Sequence, residues 1–207
     1  MTPDGGYDAG YEACSCFWGT QPGSLVNRLF DICPTIRGLK VFDAGCGEGK
    51  NAMALARMGA VVDAVDISEH AIRNAKRAWP DYEIVNWASC DVAEYDLPNE
   101  WYEVVIAYGL LHCLSSHQHV ATMVDKLQKA TSQGGYNLIC TFNDRRQELD
   151  VHPDLNPILL PHDDFVRLYD GWKLMYETDT DLQEVHPHNP VVHTHSMTRI
   201  IARKESR

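Results

Sequence analysis

The chain has 207 residues, 44% hydrophobic and 23% charged, which suits one ordinary globular domain. Its net charge of −11 argues against a nucleic-acid partner, because phosphate contacts are carried by Lys and Arg clusters; the densest basic stretch is the short tail Arg199, Arg203, Lys204 and Arg207. No apolar run approaches the ~20 residues of a membrane helix, MTPDGGYDAGYEACSC lacks the regions of a secretory signal, and an odd seven cysteines read as reduced thiols in a cytoplasmic protein.

Residues 1–20 are rich in Gly and Tyr and read as a mobile arm or lid. Residues 22–33 (PGSLVNRLFDIC) set Leu25, Val26, Leu29, Phe30 and Ile32 at helical spacing. A strand at 40–44, a helix at about 49–58 and a strand at 61–65 follow. Ser68 is placed to N-cap the helix EHAIRNAKRAW, which stops at Pro80. Strands are predicted near 83–88 and over 104–107, the latter too apolar for an exposed edge. A helix over about 118–131 ends before Gly134-Gly135, and YNLICTF is the fifth strand. A proline-containing loop and a short helix ending at Gly171 lead to two β-rich stretches, 172–188 and 191–203, with Asn189-Pro190 read as the hairpin loop. The alternation predicts an α/β fold: a mostly parallel sheet, helices on both faces and a C-terminal antiparallel hairpin.

The most informative stretch runs from Val41 to Asp66. A strand meets Asp43, then glycines at 45, 47 and 49, then a helix, then a strand ending on Asp66, 19 residues past Gly47. Residues without a Cβ let the backbone turn sharply and approach a ligand closely. A dinucleotide fingerprint reads G-x-G-x-x-G with pyrophosphate on the helix N-terminus. This loop reads Asp43-Ala44-Gly45-Cys46-Gly47-Glu48-Gly49, which is G-x-G-x-G with two carboxylates. Those charges repel pyrophosphate and suit a ligand carrying an ammonium and a sulfonium. Asp91 falls where a third strand should end, and no G-x-x-x-x-G-K-[ST] loop is present.

The D-x-G-x-G-x-G pattern resembles the first motif of class I S-adenosylmethionine (SAM) dependent methyltransferases. That resemblance implies a Rossmann-like seven-stranded sheet of order 3-2-1-4-5-7-6, with SAM as cofactor and S-adenosyl-L-homocysteine as product. GGYNLICTF, HDDFVRLYDGWKLMYETD and a last hairpin ending in ARK resemble the tellurite-resistance methyltransferase (TehB-like) family, and FWGTQPGSLV resembles the arm of related small-molecule methyltransferases. Residues 1–35 would then form an arm and helix, a lid on the acceptor side, and 36–207 the methyltransferase domain. The resemblance places Asp43 toward the methionine ammonium and the backbone of Gly45, Cys46 and Gly47 beneath methionine and ribose, with Asn51 orienting the loop. Asp66 would accept from both ribose hydroxyls, Ile67 would pack on adenine, Asp91 would accept from its amino group, and Val92 would donate to a ring nitrogen. Tyr108 would line the pocket near the methyl group. Helix capping is the other reading of Asp66 and Asp91.

Methyl transfer mainly needs alignment and exclusion of water; a base matters only for a protonated acceptor. The family places a histidine at the position of His186, the first candidate for base or acceptor ligand, a plain surface histidine being the alternative. His112 ranks second, and Trp18, with Tyr7, Tyr11 and Phe17, would form a lid that dries the site. With Asn189-Pro190 as a two-residue loop, His188 pairs with Val191 and His186 with His193, gathering Glu184, His186, His188, His193 and His195 on one face. A solvated polar face without metal is the first reading of that cluster, and a metal or metalloid site the bolder one. Pro187 stands where the tellurite enzymes carry a basic residue, and the hairpin is richer in His than in Arg, which favours a soft or neutral acceptor. The expected function is SAM-dependent methylation of a small soft nucleophile, a thiol or a chalcogen or metalloid oxyanion such as tellurite. O- or N-methylation of a specialised metabolite and a non-catalytic SAM-binding sensor are the alternatives. A monomer or homodimer whose partner is a small-molecule acceptor is expected.

Overall fold

A seven-stranded sheet organises the molecule, with strand order β3-β2-β1-β4-β5-β7-β6. The structure, a computed structural model, describes residues 6–150, 152, 155–186 and 189–205. In chain order the elements are α1 (Asp8–Ala13), α2 (Ser24–Ile32), β1 (Lys40–Ala44), α3 (Lys50–Arg57), β2 (Val61–Asp66), α4 (Glu69–Ala78), β3 (Val85–Ser89) and β4 (Tyr102–Tyr108). Then come α5 (His117–Ala130), β5 (Thr131–Gln147), α6 (His162–Arg167), β6 (Lys173–His186) and β7 (Asn189–Arg203). Among the described residues no helix is long and apolar enough to cross a membrane.

Strands β1 to β5 pair in parallel, while β7 runs antiparallel to both β5 and β6. The central strands are apolar on both sides because both faces are covered. Leu25, Leu29, Met53 and Leu55 of α2 and α3 bury one face against Ile106 and Leu138. Val124, Leu127 and Phe165 of α5 and α6 bury the other against Phe42 and Ile139. The parallel tips of β1, β2 and β4 therefore open on one edge, where the reversal of strand order leaves a crevice for a ligand. Ser68 caps α4 as its sequence predicts, accepting from the Ala71 N–H at 3.0 Å.

Three expectations change. The described part of the N-terminal arm is ordered into a helix: α1 forms, and Tyr11 and Phe17 bury themselves with Ala71 of α4. β5 is longer than YNLICTF, running to Gln147, which pairs with His195. The hairpin register is shifted, with His186 opposite Asn189, Glu184 opposite His193 and Leu182 opposite His195. Asn189-Pro190 thus belong to β7, and the connecting residues 187 and 188, with the expectation for His188, lie outside the described residues. Proline is tolerated there because the pairing of β7 with β5 begins only at His195, so no ladder bond on that side needs its missing N–H.

Candidate cofactor and acceptor site

The glycine loop folds over the tip of β2. Gly45 and Cys46 donate their N–H groups to the Val65 carbonyl at 2.8 and 3.0 Å. The Asp66 carboxylate accepts from Gly47 N–H at 2.7 Å and from Ser68 N–H at 2.9 Å, one bond on each oxygen. The carboxylate lines the cavity in front of the loop, and a charged, bidentate acceptor suits a diol such as a ribose edge. Gly49 caps α3 with φ +77°, and a Cβ there would stand 2.1 Å from the Trp87 ring. At Gly47, φ +55°, a Cβ would stand 2.8 Å from the Tyr11 hydroxyl. The loop is built of glycine because α1 and Trp87 close directly upon it.

In front of the loop lies a cavity of about 770 Å³. Gly45, Cys46, Gly47, Asp66 and Ile67 line one part of it, together with Asp91 and Val92. Asp91 is exposed and turns one oxygen back to the Ala93 N–H at 2.8 Å. Tyr108, His112 and Trp18 line it as well, and so do Tyr7 and Tyr11. The sequence reading thus assembles nearly whole around one space.

Asp43 is the exception at the cofactor end. It is 1% exposed and does not line the cavity. Burial pushes its carboxyl up to about 7, and neighbouring Asp66 adds to the rise; the Ala52 N–H and Lys50 offset part of it. It stands behind the loop, a second layer rather than a contact surface. Asn51 does line the cavity, but its Oδ1 accepts from Gly23 N–H at 2.8 Å, tying down the start of α2 instead of orienting the loop. Glu48 lines the cavity and has a further task. Its oxygens accept from the N–H groups of Cys16 and Phe17 at 2.7 and 2.5 Å, so it clamps the arm over the site. Burial nonetheless raises its pKa.

At the acceptor end, His112 is buried and stacked on Phe142 at 4.1 Å, with Tyr7 Oη 3.2 Å from its Nε2 and Thr141 Oγ1 3.2 Å from its Nδ1. Burial first, then the neighbouring His195 and His152, push it down to about 3. At neutral pH it is an uncharged hydrogen-bonding group and a poor base. His186 sits at the end of β6, and its side chain lies outside what is described. His193 does not line the cavity and is 2% exposed, and His195 is 0% exposed. The expected solvated face is therefore absent, because the segment after β5 folds over it: Glu148 N–H donates to Thr194 O at 3.1 Å and Glu148 Oε2 accepts from Thr194 N–H at 2.7 Å.

Sequence reasoning missed Lys50 and Arg199 and placed Glu184 only in the hairpin cluster, and all three line the cavity. Lys50 donates to the Trp18 carbonyl at 3.0 Å, and burial lowers its pKa. Arg199 donates from Nη1 to Thr180 at 2.8 Å, while its buried Nε has no hydrogen-bond partner among the described residues. Cross-strand alternation carried the signal: Cys140 pairs with Arg199 and Phe142 with Met197, all four facing the cavity.

Solved structures with this fold include magnesium protoporphyrin IX methyltransferase from Synechocystis with bound SAM, which aligns at TM-score 0.65 and 18% identity over 97% of this chain and 80% of that one. The fold is that of the SAM-dependent methyltransferases. TehB from Haemophilus influenzae aligns at TM-score 0.71 and 19% identity, over 88% of this chain and 62% of that one. In sequence, an uncharacterized methyltransferase of Mycobacterium tuberculosis is 31% identical over 116 residues, 56% of this chain and 57% of the relative. The match thus spans little more than half of that relative's length. A family model described as Tellurite resistance protein TehB matches residues 24–190. The chain belongs to the TehB family.

Proposed function

We propose that this protein is a SAM-dependent methyltransferase whose acceptor is a small soft nucleophile, a thiol or a chalcogen or metalloid oxyanion. The observation that carries the proposal is the single cavity joining two chemistries: the Asp66-held glycine loop on one side, and the Cys140, Phe142 and Met197 wall beside Lys50 and Arg199 on the other. A volume of about 770 Å³ is of the size that holds a nucleoside with a small acceptor. The residues fit the cofactor on their own terms, since Asp66 brings a carboxylate to the cavity wall beside the loop and the loop leaves room only where no Cβ intervenes.

When bound, SAM supplies a methyl group already activated by its sulfonium. The chain's part is to bind, orient and dry. Asp66 and the loop fix the nucleoside, with Ile67, Asp91 and Val92 beside it, and Asp43 supplies negative charge from behind. Tyr108 and His112 border the reacting centre. Lys50 and Arg199 hold an anionic acceptor by charge, which restores the case for an anion that the histidine-rich hairpin seemed to weaken. The arm, residues 1–35, closes over the acceptor side through Tyr7, Tyr11 and Trp18, while residues 36–207 carry the cofactor site. The same proposal places the protein in the cytosol, where its seven free cysteines stay reduced, as a monomer or homodimer acting on small molecules.

The test is release of S-adenosylhomocysteine with tellurite, selenite, thiols and phenols as acceptors. Turnover confined to the chalcogen and thiol acceptors supports the proposal. Turnover only with phenols or amines contradicts the acceptor class, and SAM binding without any turnover points to a sensor.

A further inference from the structure

A second cluster of functional groups lies beside the acceptor wall. The β6–β7 register sets Glu184 opposite His193 and Leu182 opposite His195, so Glu184, His193 and His195 share one face. His152, whose N–H donates to the Leu149 carbonyl at 2.8 Å, sets its ring against those of His193 and His195, with centroids 5.0 and 5.4 Å away. One ligand atom from each of these four residues lies within 4.8 Å of the others. The closest separations are 3.2 Å between Nε2 of His152 and His193, 3.7 Å from His193 Nε2 to Glu184 Oε1, and 3.8 Å from His195 Nε2 to the same oxygen. Ligands bonded to one tetrahedral ion at ~2.05 Å stand about 3.3 Å apart, so small side-chain shifts bring these atoms onto one centre.

The outer hydrogen bonds fix which ring nitrogens face inward. His193 Nδ1 lies 2.9 Å from the Val191 carbonyl, an acceptor only, so it carries the proton and Nε2 presents a lone pair. Gln147 spends both amide protons on the carbonyls of Asn143 and Ser196, at 2.7 and 2.9 Å. Its oxygen therefore faces His195 Nδ1 at 2.8 Å, and that nitrogen is again the donor. Two imidazole lone pairs and a carboxylate converge on one point, each imidazole oriented by a partner on its far nitrogen. Metal-ligating histidines are held this way.

We propose that His152, Glu184, His193 and His195 form a binding site for a divalent first-row transition ion, of which zinc is the natural probe. Imidazole and carboxylate ligands of this number suit Zn²⁺ and its neighbours rather than Mg²⁺ or Ca²⁺. Ion binding stands by itself; its role in catalysis rests on the methyltransferase reading above. Glu184 lines the cavity, and His195 stacks at 4.3 Å on Phe142, which lines it too. An ion here sits at the acceptor wall and binds a thiol acceptor as thiolate, releasing the thiol proton to solvent. That sulfur's lone pair then forms the new bond to the methyl carbon, while the methyl–sulfonium bond breaks and its electron pair stays on the cofactor sulfur. No protein base is required, in keeping with the poor basicity of His112.

The test uses full-length protein dialysed against chelator, titrated with Zn²⁺ against a chromophoric competitor and with Co²⁺ for its visible d–d bands. The expected result is one ion per chain with a tetrahedral or five-coordinate Co²⁺ spectrum, weakened at least about tenfold in His152→Ala and in Glu184→Gln. His152 lies in a loop, outside the cavity lining, so unchanged SAM binding in His152→Ala certifies its fold. The absence of saturable binding, or an affinity in both variants equal to that of the parent protein, overturns the site. Thiol methylation that persists undiminished in metal-free protein overturns the ion's catalytic role. Metal binding with no turnover on any acceptor leaves the site standing and defeats the function instead.

Discussion

Replacing Glu48 tests whether a single carboxylate holds the arm over the site. Its two oxygens accept from consecutive backbone N–H groups, Cys16 at 2.7 Å and Phe17 at 2.5 Å. Hydrogen bonds to a charged acceptor contribute about 1.5–3 kcal/mol each, and burial of the carboxylate, visible in its raised pKa, takes part of that back. A net loss of about 2 kcal/mol in Glu48→Ala corresponds to roughly 30-fold more frequent opening of the arm. Glu48→Gln keeps one acceptor oxygen, so about half the free energy and roughly fivefold is expected. The glycine loop itself should hold, because Trp79 Nε1 donates to the backbone carbonyl of residue 48 at 2.7 Å in either variant. Amide hydrogen exchange reads this directly: Cys16 and Phe17 should exchange faster by these factors, alanine above glutamine, with α3 unchanged. Unchanged exchange at both amides, or equal acceleration throughout α3, refutes the clamp.

Three further outcomes follow from the same geometry. Asp43, pushed up to about 7 by burial, is mostly protonated at pH 6 and mostly ionised at pH 8. A cationic ligand favours the ionised form, so SAM affinity should rise by up to about tenfold between those pH values, with proton release in calorimetry. Asp43→Asn should abolish the dependence; a flat profile in the parent protein contradicts it. For folding, the sign is opposite. The unfolded carboxyl ionises near 3.8 and the folded one near 7, so this group's cost to stability grows as pH rises through that window, and melts of Asp43→Asn should lose that slope. Gly49→Ala combines left-handed backbone strain with a Cβ 2.1 Å from Trp87, and should cost about 2–4 kcal/mol, lowering Tm by roughly 5–10 °C. Gly171→Ala, at φ +83° with nothing within 4 Å, carries the strain alone, about 1 kcal/mol. Equal shifts in the two variants contradict the steric argument.

The sheet order and the glycine loop were legible because they rest on local signals: alternating strand and helix periods, an acid at a strand tip, and Asp66 at a fixed distance from Gly47. Ser68 likewise announces itself as a cap by type and position. What depended on register was not legible. A slip in hairpin pairing moves every cross-strand neighbour, so Glu184 found its partner in His193 only once Asn189-Pro190 proved to lie within β7. The burial of His193 and His195 follows from β5 running on to Gln147 and from the segment behind it, and no periodicity marks His152 in that loop. Glu48 lines the cavity as the sequence suggests, but its hold on the arm was not legible because sequence gives no direction to a side chain in a turn. Its partners, 31 and 32 residues away, are visible only in three dimensions.

The central claim is that a cationic adenosyl donor docks on the loop with Asp66 beneath its ribose. Calorimetry of SAM with the parent protein and Asp66→Asn, each shown folded by its melt, tests it most directly. One site per chain is predicted, with affinity reduced at least about tenfold in the variant, since a neutral amide weakens the charge-assisted bonds to both hydroxyls. An absence of heat with the parent protein, or equal affinity in the two, contradicts the account.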